Sequence, residues 1–99
     1  MESNARNIYF CQFSPFFGDE IYLPYSAGML WAYARSNVEI RNQYRNAGFI
    51  FVREDPDKIV ESLRDPHVAA FSTYVWSWEM SVAVAKRIKR RFPDCLVVF

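Results

Sequence analysis

Glycine, histidine and cysteine are scarce in this sequence: three, one and two residues among 99. The glycine pattern excludes the common phosphate-binding loops. After the first apolar run the chain reads Ser14-Pro15-Phe16-Phe17-Gly18, which is neither a glycine-rich dinucleotide fingerprint nor a Walker-type loop. Cys11 and Cys95 lie far apart, so they make no secreted disulfide framework and lack zinc-site spacing. They read as two small buried hydrophobes. An excess of one charge sign is also lacking. The formal net charge is +1, so no global field favours nucleic acid or a membrane surface. No apolar run reaches bilayer length; the stretch from His67 to Trp78 is too short and carries polar residues. Met1 to Arg6 is polar and no small-residue cleavage site follows, so no signal peptide is visible and a cytoplasmic location is the default expectation.

Apolar and aromatic residues are plentiful, at 52% and 18% of the chain, which argues against disorder and for one domain. Residues 1–6 read as a loose lead-in. Ile8 to Phe13 is a short apolar run stopped by Ser14-Pro15, a strand buried on both faces. A helix is predicted from Pro24 or Tyr25, with Ala27, Leu30, Trp31, Ala34 and Val38 as its inner stripe. A short helical piece follows within 38–46, ended by Ala47-Gly48, and the second strand is Phe49-Ile50-Phe51-Val52. Asp55-Pro56 supplies an N-cap and a first helical residue, and Ile59, Val60 and Leu63 face inward. The third strand is Val68 to Ser72. From Ser77 to Phe92 the steps of Trp78, Val82, Ala85, Ile88 and Phe92 predict an amphipathic helix. Cys95 to Phe99 is a fourth buried strand.

Alternating strands and helices mean crossover connections, hence an α/β fold with a parallel sheet and helices on both faces. The expected strands are residues 7–13, 49–53, 68–72 and 95–99, in spatial order 2-1-3-4. In that order the first and fourth strands are second neighbours, about 10 Å apart, beyond the disulfide limit of about 7 Å. Both cysteines should then be free thiols. A bare apolar strand at Phe99 suggests that the natural protein continues, with residues 7–99 forming part of a domain.

Open parallel sheets bind ligands beyond the carboxyl ends of their strands, where strand order reverses. The candidate binding residues are therefore Ser14, Pro15 and Phe16 after the first strand, and Ser72, Thr73, Tyr74, Val75 and Trp76 after the third. The second loop combines hydroxyls, a phenol and an indole, which suits a large flat ligand with polar edges. Ser77 reads as a helix cap and Trp78 as core. Ser72 stands where a receiver domain needs aspartate. Asp19-Glu20 reads as a solvated pair. His67 precedes the third strand, at the opposite pole, and reads as a surface turn residue. The cations from Lys86 to Arg91 fall in the last turns of a helix, where they meet the negative end of its dipole.

Leu23-Pro24-Tyr25-Ser26-Ala27-Gly28 with its aromatic-rich helix, Asp65-Pro66-His67-Val68-Ala69-Ala70-Phe71-Ser72-Thr73-Tyr74, and Ala85-Lys86-Arg87-Ile88-Lys89 followed by Phe92-Pro93-Asp94 occur in a telling order. Together they resemble the cobalamin-binding domain of B12-dependent radical S-adenosylmethionine (SAM) proteins. The resemblance runs from about Asn7 to Phe99. It implies a flavodoxin-like five-stranded sheet, order 2-1-3-4-5, here cut after the fourth strand, holding cobalamin at its carboxyl edge. It also implies a following radical SAM domain with a 4Fe-4S cluster and S-adenosylmethionine, outside this chain. Cys11 and Cys95 could not supply the three closely spaced thiolates of that cluster. The resemblance implies methyl transfer or another radical-based modification for the parent enzyme, with this piece not itself catalytic. The Asp-x-His-x-x-Gly motif of cobalamin proteins that ligate cobalt through histidine is missing. The resemblance then points to the Thr73 to Trp76 loop for the lower face of the corrin. The expected partners are cobalamin and the radical SAM domain, without nucleic acid or membrane. Two other readings stay open: a cofactor-free regulatory or interaction domain, and part of a nucleotide-sugar type enzyme.

Overall fold

The computed structural model describes residues 5–13, 25–51, 54–73 and 77–99. Its elements are β1 (Arg6–Cys11), α1 (Tyr25–Ala34), α2 (Val38–Gln43), β2 (Tyr44–Ile50), α3 (Pro56–Glu61), β3 (Pro66–Phe71), α4 (Trp78–Arg91) and β4 (Leu96–Val98). The four strands form one sheet in the order β2-β1-β3-β4, and all three pairings are parallel. The expected fold class and strand order therefore hold. Among the described residues no helix is long and apolar enough to cross a membrane.

Side chains alternate between the two faces of a strand. On one face Tyr9, Cys11, Ala69 and Phe71 join Ile59, Val60 and Leu63 from α3 and its end, and Val84, Ala85 and Ile88 from α4, in a single buried core. On the other face Phe10 stacks on Phe49 at 5.5 Å and meets Trp31 of α1 at 6.0 Å. Helices thus cover both faces. The start of α3 is set by its local signal as expected, and that of α2 by a cap that sequence reasoning did not name. Asp55 caps α3 by accepting from the Asp57 N–H at 2.9 Å, with Pro56 in the first turn. Asn37 caps α2 by accepting from the Glu39 and Ile40 N–H groups.

Three expectations change. The second strand starts at Tyr44, five residues earlier than predicted, and Ala47-Gly48 lies inside it. Its polar residues are tolerated because β2 is an edge strand, half-buried rather than enclosed. The inner stripe of α1 is narrower than predicted: Ala27 is buried, but Leu30 is 60% and Val38 55% exposed. On α4 the buried residues are Ser81, Val84, Ala85 and Ile88, while Trp78 is 52% exposed. That helix is apolar on two adjoining sides, and contact with α3 and the sheet selects the side with Val84.

The amino ends of the strands are tied by one side chain. Asn7 is 6% exposed. Its amide nitrogen donates to the carbonyls of Arg64 (3.0 Å) and Asp65 (3.1 Å), and its oxygen accepts from Arg45 Nε (3.0 Å) and Nη2 (2.7 Å). Its backbone N–H donates to His67 Nδ1 at 3.0 Å. Tyr9 adds a further tie, its hydroxyl accepting from the Arg64 N–H at 2.8 Å. Asp65 has φ 44°, a left-handed conformation uncommon outside glycine, and the bonds around it hold it there. His67 is a residue of β3 itself, so the expectation of a surface turn is corrected, although its place at the amino pole stands.

Both cysteines are free and buried, as the strand order requires. Burial pushes the Cys11 thiol up to about 12, with a smaller contribution from Cys95. Burial also raises Cys95, opposed by the nearby Lys89 charge.

Replacing Asn7 by alanine should cost about 3 kcal/mol in urea unfolding, because four bonds made by one buried amide are lost together; a loss under about 1 kcal/mol would contradict the tie. Ser81 Oγ is buried with no hydrogen-bond partner among the described residues, so Ser81→Ala should be neutral or stabilising by up to about 1 kcal/mol in the same assay. A thiol reagent at pH 7.5 should label neither cysteine in the native state within the time that labels both in denaturant. A thiol whose folded pKa is raised is ionised first in the unfolded chain, so its contribution to stability falls as pH rises from 9.0 towards about 12. The fall in unfolding free energy over that range should be smaller in Cys11→Ala than in the parent chain.

Candidate functional site

The carboxyl ends of the strands converge on one edge of the sheet. Two backbone bonds extend the ladders one residue beyond β1 and β3. The Gln12 N–H donates to the Ile50 carbonyl and the Ser72 N–H to the Cys11 carbonyl, both at 2.9 Å. They align Gln12, Phe51 and Ser72 across three neighbouring strands. Ser72 and Thr73, two of the residues singled out from the sequence, are half-buried here. Of the others, Ser14, Pro15, Phe16, Tyr74, Val75 and Trp76 lie outside the described residues, as does Asp19-Glu20.

Gln12 is a residue that sequence reasoning passed over. Its side-chain oxygen accepts from the Ala27 N–H at 3.0 Å, an amide of the first turn of α1 that has no partner within the helix. The edge of β1 is thereby attached to the start of α1. The available signal was a lone amide side chain at the end of an apolar strand.

Around the end of β3 and β4 the edge is aromatic. Phe99 stacks on Phe71 at 5.2 Å, and Trp78 packs against Phe99 at 5.6 Å. Trp78 and Phe99 remain 52% and 55% exposed, so Trp78 is a rim residue and the expectation that it belongs to the core is corrected. Ser77 stands at the N-cap position of α4 and is fully buried, but it makes no side-chain capping bond. Its backbone is near the helical region (φ −112°, ψ −1°), whereas capping geometry uses an extended residue. The edge can therefore offer hydroxyl groups, exposed aromatic faces and a helix start to a ligand.

The opposite pole has different chemistry. His67 Nδ1 is occupied by the Asn7 N–H, and Nε2 lies 4.0 Å from the Asp65 carboxylate. Among the described residues no group of three or more His, Cys, Asp or Glu side chains could hold a metal ion. The cations at the end of α4 are largely engaged within the chain. Arg87 pairs with Asp57 at 2.7 Å, Lys89 donates to the carbonyls of Pro93 and Cys95 at 2.8 Å each, and the Arg91 guanidinium lies 5.6 Å from the Phe92 ring centre.

No protein-family model matches the chain. Individual relatives do. Over 98 residues, 99% of its length, it is 31% identical to the cobalamin-dependent radical SAM methyltransferase TokK of Streptomyces tokunonensis. Over 77 residues, 78% of its length, it is 32% identical to 2-(S-pantetheinyl)-carbapenam-3-carboxylate methyltransferase of Streptantibioticus cattleyicolor. The chain spans only 14% and 11% of the lengths of these curated relatives. With the parallel 2-1-3-4 sheet, this similarity from end to end makes the chain the counterpart of one segment of the cobalamin-dependent radical SAM methyltransferases that it resembles.

Proposed function

We propose that the chain is the cobalamin-binding module of a larger radical SAM enzyme that transfers a methyl group. The observation that carries this reading is the alignment of 99% of the chain with a cobalamin-dependent radical SAM methyltransferase. The sheet supports it, since the strand order reverses beside β1 and β3, where open parallel sheets take their ligands. In this reading residues 7–99 are a partial domain completed by a fifth strand, and the 4Fe-4S cluster and S-adenosylmethionine belong to another domain of the enzyme.

The residues at the carboxyl edge fit a large flat cofactor. Ser72 and Thr73 can donate hydrogen bonds to amide or phosphate groups, and the exposed Trp78 and Phe99 rings extend an aromatic surface beside them. Ser14, Pro15 and Phe16 would flank the ligand from the β1 side, with Tyr74, Val75 and Trp76 completing the wall above β3. Bound cobalamin supplies a cobalt able to carry a methyl group. This chain's part is to bind and orient the cofactor, and to exclude water from it with apolar side chains. His67 has no role at the metal in this reading, because it lies at the other pole with one nitrogen already bonded.

The test is spectrophotometric titration with hydroxocobalamin. In the longer protein, changing Tyr74 and Trp76 together to alanine should weaken binding at least tenfold, about 1.4 kcal/mol, since buried aromatic anchors often contribute about 2 kcal/mol or more. His67→Ala should leave affinity and absorption spectrum unchanged, though it removes the acceptor for the Asn7 N–H. Loss of binding with His67, together with dispensable Tyr74 and Trp76, would put the ligand at the wrong pole and defeat the proposal.

A further inference from the structure

Gln12 stands one residue past β1, beside the point where the strand order reverses. Tyr9, Cys11 and Phe13 turn to the core shared with α3 and α4, as do Ala69 and Phe71 of β3. Side chains alternate along a strand, so Gln12 and Ser72 project from the other face, the one that α1 covers. Cys11 pairs with Phe71, and the Ser72 N–H donates to the Cys11 carbonyl, so the ladder sets Gln12 beside Ser72 on adjacent strands. The Gln12 carboxamide has one accepting atom and one donating atom, and the fold commits the first. Oε1 accepts from the Ala27 N–H at 3.0 Å. A backbone N–H can only donate, so the oxygen and not the nitrogen must meet it. The orientation of the amide is thereby set. Its NH2 group has no hydrogen-bond partner among the described residues, and the side chain is half-buried.

We propose that Gln12 is a cofactor-binding residue of this edge: with Oε1 tied to α1, Nε2 donates, beside the Ser72 hydroxyl, to an oxygen of bound cobalamin. The inference rests on the module reading above and adds a residue to it. The chemistry of the partner follows from the donor. An NH2 group needs an acceptor, and cobalamin carries two kinds, the amide carbonyls around the corrin and the phosphate of its nucleotide tail. A donor already held in one orientation loses little freedom when the ligand arrives. The tie to α1 needs only an accepting oxygen, which a carboxylate would supply equally well. The NH2 group is what glutamine has and glutamate lacks.

Two variants of the longer protein separate the halves of the amide. Gln12→Glu keeps an acceptor for the Ala27 N–H and removes both donors. It should leave the thermal unfolding midpoint of the apoprotein unchanged and weaken hydroxocobalamin at least tenfold in spectrophotometric titration. Gln12→Leu loses acceptor and donors, so it should weaken binding as much and lower the midpoint as well. Titration with aquocobinamide, which keeps the corrin amides but lacks the nucleotide and its phosphate, identifies the acceptor. A loss with both ligands assigns a corrin amide, and a loss with cobalamin alone assigns the phosphate. Unchanged cobalamin affinity in Gln12→Glu would make Gln12 a structural tie and overturn this inference while the module reading stands. A loss of affinity that only follows a falling midpoint in both variants would overturn it too. Failure of the unmodified protein to take up hydroxocobalamin would overturn the module reading and this inference together.

Discussion

A parallel sheet has no hairpins to set its register, so contacts at the strand ends must do it. In this chain the Asn7 side chain performs much of that task. It is a buried amide with both N–H groups donated and its oxygen accepting twice, so burial leaves its side-chain bonding capacity filled. Its partners belong to β2, to the turn before β3 and, through its backbone, to β3 itself. The pairing of β1 with β3 shifts register between Asn7 and Ile8, next to the point where the Asn7 N–H turns to the His67 ring. Asp65 adopts its positive φ in the turn that these bonds hold.

That closure gives the molecule two unlike poles. At the amino pole polar groups satisfy one another around the buried Asn7 amide. At the carboxyl pole the ladders run one residue further, Gln12 attaches the sheet to α1, and the edge carries both half-buried hydroxyl residues and exposed aromatic rings. Buried polar groups need partners, and a pole that supplies them internally is a poor place for a ligand. The pole with exposed rings is the better candidate. The cofactor reading and the assignment of His67 to a structural role therefore share one physical basis.

The edges extend the same logic. Polar residues sit comfortably in β2 because one side of an edge strand stays open to solvent. On the β4 side, Leu96, Val98 and Phe99 are exposed apolar residues, and α4 turns Trp78 and Val82 towards them.

The sequence by itself determined the alternation of elements, and with it the parallel α/β fold and the strand order. Short apolar runs bounded by Pro and Asp, such as Val68 to Phe71 between Asp65-Pro66 and Ser72, leave few other assignments. It also determined the free state of the cysteines, since Cys11 lies in β1 and Cys95 immediately before β4, its second-neighbour strand. The candidate edge was legible too, because parallel sheets place ligand loops after the strands, though of the eight residues singled out only Ser72 and Thr73 fall among those described. Tertiary structure alone decided which side of α4 is buried. Trp78 and Val82 compete with Ser81 and Val84 on apolar periodicity, and only the neighbouring α3 and sheet choose between them. It alone decided the start of β2, where Tyr44 to Gly48 lacks strand patterning and pairs because β1 offers a free ladder. The partners of Asn7, Gln12 and His67 were likewise beyond reach, because a polar side chain's partners are set by distance in space, and here they lie 15 to 60 residues away along the chain.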